Sequence, residues 1–260
     1  MDLIWSTDSR YGEYETLLLR RDELRKEAES IWIRYVSTFG ELMTAAYQEK
    51  LECVMRKKII AYCQTAINRG GTVDVNAMQR YLDKEMAAYY ANLKQLQKEN
   101  ELCKDAVTVS VYDLERAKKL YRRLVKLLHP DINPATDSQK ILQELWQRVV
   151  TAYRLSDVDE LTELEVLARK ALRDLGDDQT VIQIPDLEER MEDLKEEIYD
   201  ITHTEPYTYQ TLLEDEKAVE EKKAELTAER ERYRKYRQEL DEVIRQLMEQ
   251  GGFTFQWQMN

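Results

Sequence analysis

Apolar residues recur every three, four or seven positions along most of this chain, which is the spacing of residues that share one face of an α-helix. The first such run covers about residues 11–68, and two consecutive glycines, Gly70 and Gly71, end it. The next run extends from about residue 75 to 103, with Asp74 in the position of a helix N-cap. We therefore predict two long amphipathic helices in the N-terminal part of the chain.

A shorter amphipathic helix is predicted from about Val111 to Leu128, in the middle of the chain. Ser110 is its expected N-cap, with Asp113 three residues later in the capping-box position. The preceding stretch, residues 106–111, is rich in β-branched side chains. Because no partner strand is evident, we predict that it is an extended connector.

The sequence His-Pro-Asp-Ile-Asn-Pro follows this helix at residues 129–134. Proline cannot continue a helix and disfavours the helical conformation in the residue before it, so the two prolines predict a rigid loop. A second amphipathic helix follows, with Asp137 or Ser138 as its N-cap. Residues 155–157 end that helix and cap a third one, which ends at Gly176.

Two apolar seams occupy the C-terminal third of the chain. Apolar residues step by four and three within residues 187–201, and after a break at 203–207 they recur every seven positions within 212–247. Such seams, joined by a short loop, predict an antiparallel coiled-coil hairpin. The second arm is the longer one, and we expect its overhang to pack on the helix before Gly176 or on the N-terminal helices.

The composition favours a helical protein with few loops. The 260 residues include only 7 glycines and 4 prolines, and 35% of the side chains are charged. A protein built from many strands and turns needs more turn-forming residues than this. The predicted fold class is therefore an elongated all-α protein.

Charge is distributed unevenly around a formal net charge of −12. Residues 186–249 carry 21 acidic and 11 basic side chains, whereas residues 112–154 carry 9 basic and 5 acidic ones. We do not expect an acidic chain with one small basic patch to bind nucleic acid or anionic lipid. No apolar run reaches the roughly 18 residues of a membrane span, so we expect no membrane association.

The sequence predicts neither a cofactor nor a metal site. Cys53, Cys63 and Cys103 are too widely spaced for a disulfide framework or a zinc site, and we predict buried or half-buried thiols in a cytoplasmic protein. No phosphate-binding loop, catalytic-serine motif or calcium-binding motif is present. One histidine and one aspartate without a nucleophile make a poor catalytic set, so we do not expect an enzyme.

The most distinctive feature is a basic amphipathic helix followed by a His-Pro-Asp loop and a second amphipathic helix. The segments YRRLVKLLHPDINP and LWQRVVTAYRLSD, within residues 112–157, resemble the second and third helices of the J domain of the DnaJ co-chaperone family. Trp146 stands where that family usually has phenylalanine, and Ile132 where it usually has lysine. The family's first helix has no counterpart just upstream. Either the helix ending near Cys103 replaces it or this part of the fold is built differently.

The resemblance implies an α-helical hairpin that binds a DnaK-type chaperone ATPase and stimulates its ATP hydrolysis. It implies that His129, Pro130 and Asp131 form the stimulatory loop. It further implies that the basic face of the preceding helix docks on an acidic surface of the ATPase, and this face consists of Arg116, Lys118, Lys119, Arg122, Arg123 and Lys126. For this function we expect the loop to be exposed at a hairpin tip, beside a basic face that the protein does not itself neutralise.

Along the sequence we therefore distinguish three segments. Residues 1–105 are an N-terminal helical region, residues 106–176 a J-domain-like hairpin with the following helix, and residues 177–260 an acidic coiled-coil hairpin. The expected function is that of a cytoplasmic co-chaperone or adaptor, with a client protein on its helical hairpins and a homodimer as a possible assembly.

Several alternatives remain open from the sequence. The whole chain is alternatively a coiled-coil scaffold whose J-like segment is a degenerate packing module without chaperone activity. The loop is alternatively an ordinary capped turn in which Asp131 accepts backbone amides. The basic face is alternatively a solvated helix surface or, less favoured, a nucleic-acid site.

Overall fold

The computed structural model describes residues 9–104, 110–175 and 186–251, and all regular structure within these ranges is α-helical. The helices are α1 (Ser9–Asn68), α2 (Val75–Lys104), α3 (Val111–Leu128), α4 (Ala135–Ser138), α5 (Lys140–Leu155), α6 (Val158–Asp174), α7 (Leu187–His203), α8 (Tyr209–Glu214) and α9 (Glu216–Gly251). The all-α prediction is confirmed for this part of the chain. Residues 106–109 of the predicted connector lie outside the described residues.

Three helices begin at the predicted capping residues. Asp74, Ser110 and Asp157 each accept, through a side-chain oxygen, a hydrogen bond from the backbone amide three residues later, at 3.0, 3.1 and 3.0 Å. The first-turn amides of a helix have no partner within the helix, so each of these side chains satisfies a group that would otherwise be unpaired.

Two helix boundaries differ from the prediction. α5 begins after Gln139, and not directly after Asp137 or Ser138, because the single turn of α4 comes first. The longer C-terminal arm is interrupted at Asp215, whose carboxylate accepts a hydrogen bond from the amide of Lys217 at 2.9 Å. α8 and α9 are therefore separate helices.

The chain divides into two compact units, each assembled from separate stretches of sequence. The first unit combines Met1–Ser30 with Val107–Thr208, and the second combines Ile31–Ala106 with Tyr209–Asn260. α1 contributes its first part to the first unit and the remainder to the second. The three segments predicted above follow the order of the sequence, whereas these units join residues that are far apart in it.

In the first unit, α3, α5 and α6 pack against one another around a single apolar core. Leu124, Leu142 and Leu161, one from each helix, are completely buried in it. α1 and α7 close this core with six further side chains, which are Tyr11, Tyr14, Leu18, Leu187, Met191 and Leu194.

In the second unit, α1 packs against α2 and α9. One core contains Ile59 of α1, Met86 of α2 and Leu247 of α9, and another contains Phe39 of α1 and Leu226 of α9. The overhang of the longer C-terminal arm was expected to pack on the helix before Gly176 or on the N-terminal helices, and Leu247, near the end of α9, packs on α1 and α2 as the second of these alternatives predicts.

The buried residues of the two C-terminal seams lie in separate cores of different units, so it is not the predicted antiparallel coiled coil that buries them. α7 buries Leu187 and Met191 in the core of the first unit, whereas α9 buries Leu226 and Leu247 in the cores of the second. A heptad pattern specifies an apolar stripe on a helix but does not specify which helix covers that stripe. Here each stripe is covered by helices of its own unit.

The burial of the cysteines agrees with the prediction. Cys53 and Cys63 are buried and Cys103 is half-buried, as predicted, and all three thiols are free. None of the helices in residues 9–104, 110–175 and 186–251 is long and apolar enough to cross a membrane.

Candidate partner-binding site

The His-Pro-Asp loop connects α3 to α4 and is closed by its own backbone. The amide of His129 donates to the carbonyl of Val125 at 2.9 Å, and His129 then leaves the helical conformation and ends α3. The carbonyl of His129 accepts hydrogen bonds from the amides of Ile132 and Asn133, at 2.9 and 2.7 Å. These bonds form a tight turn, in agreement with the predicted rigid loop.

Asn133 fixes the loop to the helices on both sides. Its side-chain nitrogen donates to the carbonyl of Leu127 at 2.9 Å, and its Oδ1 accepts from the amide of Ala135 at 3.0 Å. Asn133 is buried, so these bonds satisfy polar groups that water does not reach freely. The loop is therefore ordered before any partner binds.

His129 is buried, which differs from the expectation that the loop is exposed at a hairpin tip. The side chain contacts Trp146 edge to face, with 5.0 Å between ring centroids, and the residue is 7% exposed. Its Nδ1 accepts a hydrogen bond from the amide of Asp131 at 3.1 Å, so the neutral ring carries its proton on Nε2. Burial lowers the pKa of His129 and outweighs the opposing effect of the Asp131 carboxylate. The imidazole therefore holds the loop as a neutral group.

Asp131 is the charged residue of the loop that reaches the surface, with a side chain that is 35% exposed. Its Oδ2 accepts a hydrogen bond from the hydroxyl of Tyr14 at 3.0 Å, and its Oδ1 accepts one from Arg190 at 3.0 Å. The described hydrogen bonds include none from a backbone amide to this carboxylate. The interpretation of Asp131 as the cap of an ordinary turn is therefore wrong. Pro130, next to it, is half-buried.

Tyr14 remains a hydrogen-bond donor to Asp131 over the whole physiological pH range. Burial, together with the negative charge of Asp131, raises the pKa of the Tyr14 phenol to about 12. An ionised phenol next to a carboxylate would also leave two negative charges in contact. The Tyr14 hydroxyl therefore keeps its proton and its hydrogen bond to Asp131.

The six cations of α3 form two lines along the helix, because residues three or four apart are neighbours on a helix surface. One line consists of Lys118, Arg122 and Lys126, and the other of Arg116, Lys119 and Arg123. We call them the first and the second line. They differ in what the protein places beside them.

The first line is paired with carboxylates of α1. Glu23 lies 3.0 Å from Lys118 Nζ and 2.6 Å from Arg122 Nη2, and Glu15 lies 2.9 Å from Lys126 Nζ. The two glutamate side chains are only 9% and 14% exposed, so the cations compensate charges that are largely removed from water. The expectation of an unneutralised basic face is wrong for this line, and so is the alternative of a purely solvated helix surface.

The second line is only partly paired. Arg123 donates from Nε and Nη2 to Glu165 of α6, at 3.0 and 2.8 Å, and these bonds lower the pKa of Glu165. Arg116 lies over the ring of Tyr112, 5.6 Å from its centroid. Lys119 has no ion pair among the described residues. Arg116 and Lys119 are therefore the part of the predicted docking face that no described carboxylate neutralises.

Two further contacts hold α1 on the α3–α5 pair. The hydroxyl of Tyr121 donates to Asp22 at 2.7 Å, and Lys26 Nζ donates to the carbonyl of Tyr153 at 2.7 Å. The Tyr121 and Tyr153 rings stack with 3.9 Å between centroids. The start of α1 thus contacts both helices of the predicted hairpin.

The helix that covers the hairpin is therefore the first part of α1, and not the helix ending near Cys103, which belongs to the second unit. The residues of α1 that contact the hairpin could not be identified from the sequence. Tyr14 and Asp131 are 117 residues apart, and Glu23 and Arg122 are 99 apart. No local spacing links such pairs, and the apolar run in α1 indicated a buried stripe without indicating its partner.

Comparison of this chain with protein-family models, with curated proteins and with solved structures finds no match. The resemblance to J domains therefore depends on the residues of the 112–157 segment. Any functional proposal has to be argued from these residues and from the geometry just described.

Proposed function

We propose that this chain is a J-domain-like co-chaperone or adaptor that recruits a DnaK-type chaperone ATPase and stimulates its ATP hydrolysis. In this proposal α3, the 129–134 loop and α5 act as a J-like helical hairpin. The protein does no chemistry of its own, and it changes the hydrolysis rate of its partner by binding. A client protein, a homodimer and a cytoplasmic location remain predictions from the sequence.

The observation that carries the proposal is the loop itself. The His-Pro-Asp sequence lies in a turn that is ordered by its own hydrogen bonds, between a basic helix and a second helix that packs against it. Asp131 keeps a third of its side chain at the surface. A rigid loop of this kind binds a partner without losing much conformational entropy on complex formation.

The loop residues have different roles in this proposal. His129 is a positioning residue, because its Nδ1 binds the amide of Asp131 and its carbonyl closes the turn. Pro130 restricts the backbone between them. Asp131 is the group that meets the ATPase, and the six cations of α3 form the docking face, in which Arg116 and Lys119 attract the acidic surface of the ATPase during encounter.

A second candidate function is supported by a specific observation. Lys118, Arg122 and Lys126 are paired within the chain, and both carboxylate oxygens of Asp131 accept hydrogen bonds from other parts of it. These are the contacts expected if the J-like segment serves only as a packing module of a helical scaffold. The two candidates predict opposite results in a single experiment.

The experiment is a single-turnover measurement of ATP hydrolysis by a purified bacterial DnaK, with and without the full chain. The co-chaperone proposal predicts faster hydrolysis, and it predicts that His129→Gln abolishes the increase. His203→Gln is the matched control, since His203 is the other histidine of the chain and is exposed at the end of α7. If the unmutated protein and all variants, including those described below, leave the rate unchanged, the scaffold function is correct.

A further inference from the structure

We infer that the first part of α1, residues 9–30, is an internal competitor that covers the ATPase-docking face and keeps the J-like hairpin in a latent state. This inference rests on the proposed function, because it describes how the same site is regulated. It concerns only the first unit, in which residues 9–30 and the hairpin belong to one core.

The partner surface and the start of α1 present the same sign of charge to α3. The resemblance implies an acidic partner surface on α3, but Glu15 and Glu23 already pair with all three cations of the first line. A partner carboxylate placed on Lys118, Arg122 or Lys126 would lie beside one of these glutamates. Two sets of carboxylates in contact with the same cations repel each other. The partner and α1 therefore compete for the first line.

Loss of its paired cations would be costly for Glu23. Glu23 is a buried residue, and its described charge partners are Lys118 and Arg122. A partner that drew both cations away would leave a buried carboxylate uncompensated, which is costly. Full engagement of α3 therefore requires that Glu23, and with it the start of α1, move away from the hairpin.

The start of α1 contacts the loop as well as the cations of α3. Tyr14 of α1 and Arg190 of α7 each donate to one oxygen of Asp131, so both oxygens are occupied within the chain. Tyr14 is 1% exposed and belongs to the apolar core. Movement of α1 would therefore release Asp131 from one of its two partners at the same time as it frees the first line.

Part of the docking face stays accessible to a partner in the latent state. Arg116 and Lys119, in the second line, are not neutralised by any described carboxylate. They offer a first contact to an acidic surface without any movement of α1. Binding can thus begin at the second line and continue at the first line once α1 has been displaced.

The test uses charge-neutralising variants that keep the side-chain volume. The double variant Glu15→Gln/Glu23→Gln removes the negative charges of α1 that pair with the first line. Glu13→Gln with Glu27→Gln is the matched control: it changes the net charge equally and lies on the same stretch of α1, but these exposed glutamates do not pair with the α3 cations in the described contacts. Stimulation of single-turnover ATP hydrolysis by DnaK is measured over a range of concentrations of the full chain.

We expect the E15Q/E23Q protein to reach half-maximal stimulation at a concentration roughly fivefold or more below that of the unmutated protein, while the control remains unchanged. Adding His129→Gln to E15Q/E23Q should abolish the stimulation, which shows that it acts through the same loop. If E15Q/E23Q is no better than the unmutated protein while His129→Gln still abolishes stimulation, the masking inference is overturned and the proposed function stands. If no form stimulates DnaK, both are overturned.

A second measurement does not depend on how the variants fold. Hydrogen exchange of the unmutated protein is recorded with and without an excess of DnaK in its ATP-bound state. Displacement of α1 predicts faster exchange of amides within residues 9–30 on addition of DnaK, together with slower exchange in α3. Slower exchange in both regions means that DnaK binds with α1 in place, and this result contradicts the inference.

Discussion

The hydroxyl of Tyr14 donates a hydrogen bond to Oδ2 of Asp131 at 3.0 Å, between residues that are 117 positions apart in the sequence. Arg190 binds the other oxygen of the same carboxylate. A single loop residue thus joins the start of α1, the hairpin and α7. Because Asp131 is also the proposed contact to the ATPase, the same group contributes to the stability of the first unit and to partner binding.

The first prediction concerns the Tyr14 hydroxyl. Tyr14→Phe removes the donor to Asp131 and keeps the buried ring, so we expect the free energy of unfolding to fall by about 1 kcal/mol. Urea denaturation followed by circular dichroism measures this change. Tyr112→Phe is the control, because Tyr112 is 70% exposed and its hydroxyl makes no hydrogen bond in the contacts described for residues 9–104, 110–175 and 186–251. An equal loss of stability in both variants would contradict the role assigned to the Tyr14–Asp131 bond.

The second prediction concerns Lys26, which donates to the carbonyl of Tyr153 and lies 4.0 Å from the centroid of its ring. Burial lowers the pKa of Lys26 from 10.5 to about 8. Between these values the unfolded chain binds a proton that the folded chain has lost, so the free energy of unfolding rises with pH. Tyr11 and Tyr14 act in the opposite direction only above about pH 10, since burial raises their pKa to about 12.

We therefore expect that, from pH 8 to 10, the unmutated protein gains stability relative to Lys26→Met. Urea midpoints at several pH values provide the comparison. Lys140→Met is the control, because the Lys140 side chain is 88% exposed, and its pH dependence should match that of the unmutated protein. Parallel curves for Lys26→Met and the unmutated protein would show that Lys26 titrates normally.

The third prediction concerns His129. Burial lowers its pKa from the ordinary value of 6.5. Because the unfolded histidine takes up a proton at a higher pH than the folded one, the folded state loses stability as the pH falls below 6.5. Proton NMR titration of the two histidines measures the pKa of each imidazole directly. The resonance that is missing in His129→Gln identifies His129. A midpoint at or above 6.5 for that resonance would be incompatible with a buried neutral imidazole.

The fourth prediction concerns the second unit, where Arg56 pairs with Glu52 and with Asp241 of α9, at 2.5 and 2.6 Å. Arg56 is 8% exposed, so Arg56→Met leaves Glu52 largely buried without its cation. We expect a loss of about 2 kcal/mol in the free energy of unfolding, less than for a fully buried pair because Asp241 is partly exposed.

The matched control for this change is Arg245→Met. Arg245 also pairs with two carboxylates, Glu242 and Glu249, but its side chain is 61% exposed. Exposed ion pairs contribute little to stability, so its urea midpoint should stay near that of the unmutated protein. The prediction is refuted if the two arginine variants unfold at the same urea concentration.

Local features of the fold were readable from the sequence. α1 was expected over residues 11–68 and spans Ser9–Asn68, and Ser110 caps α3 as its position before Asp113 predicted. Helical periodicity and capping involve residues within about four positions of one another, so the information lies in short stretches of sequence. The tight turn at residues 129–134 was predictable for the same reason, from its two prolines.

The partners of each helix were decided only by the tertiary structure. The seams of α7 and α9 looked alike in the sequence, yet they are buried in different units. The cations of α3 were identified correctly, but nothing near them in the sequence indicated that Glu15 and Glu23 would neutralise one line and leave Arg116 and Lys119 without a described carboxylate.

The sequence by itself determined where most of the helices begin and end, which of their faces are apolar, and that a histidine, a proline and an aspartate follow a basic helix. The tertiary structure decided whether that basic face is open or covered. The physical reason is that an apolar stripe or a line of cations is stabilised by any complementary surface that the folded chain brings to it. Which surface contacts the stripe or the cations depends on the packing of the whole unit, and not on the residues adjacent in sequence.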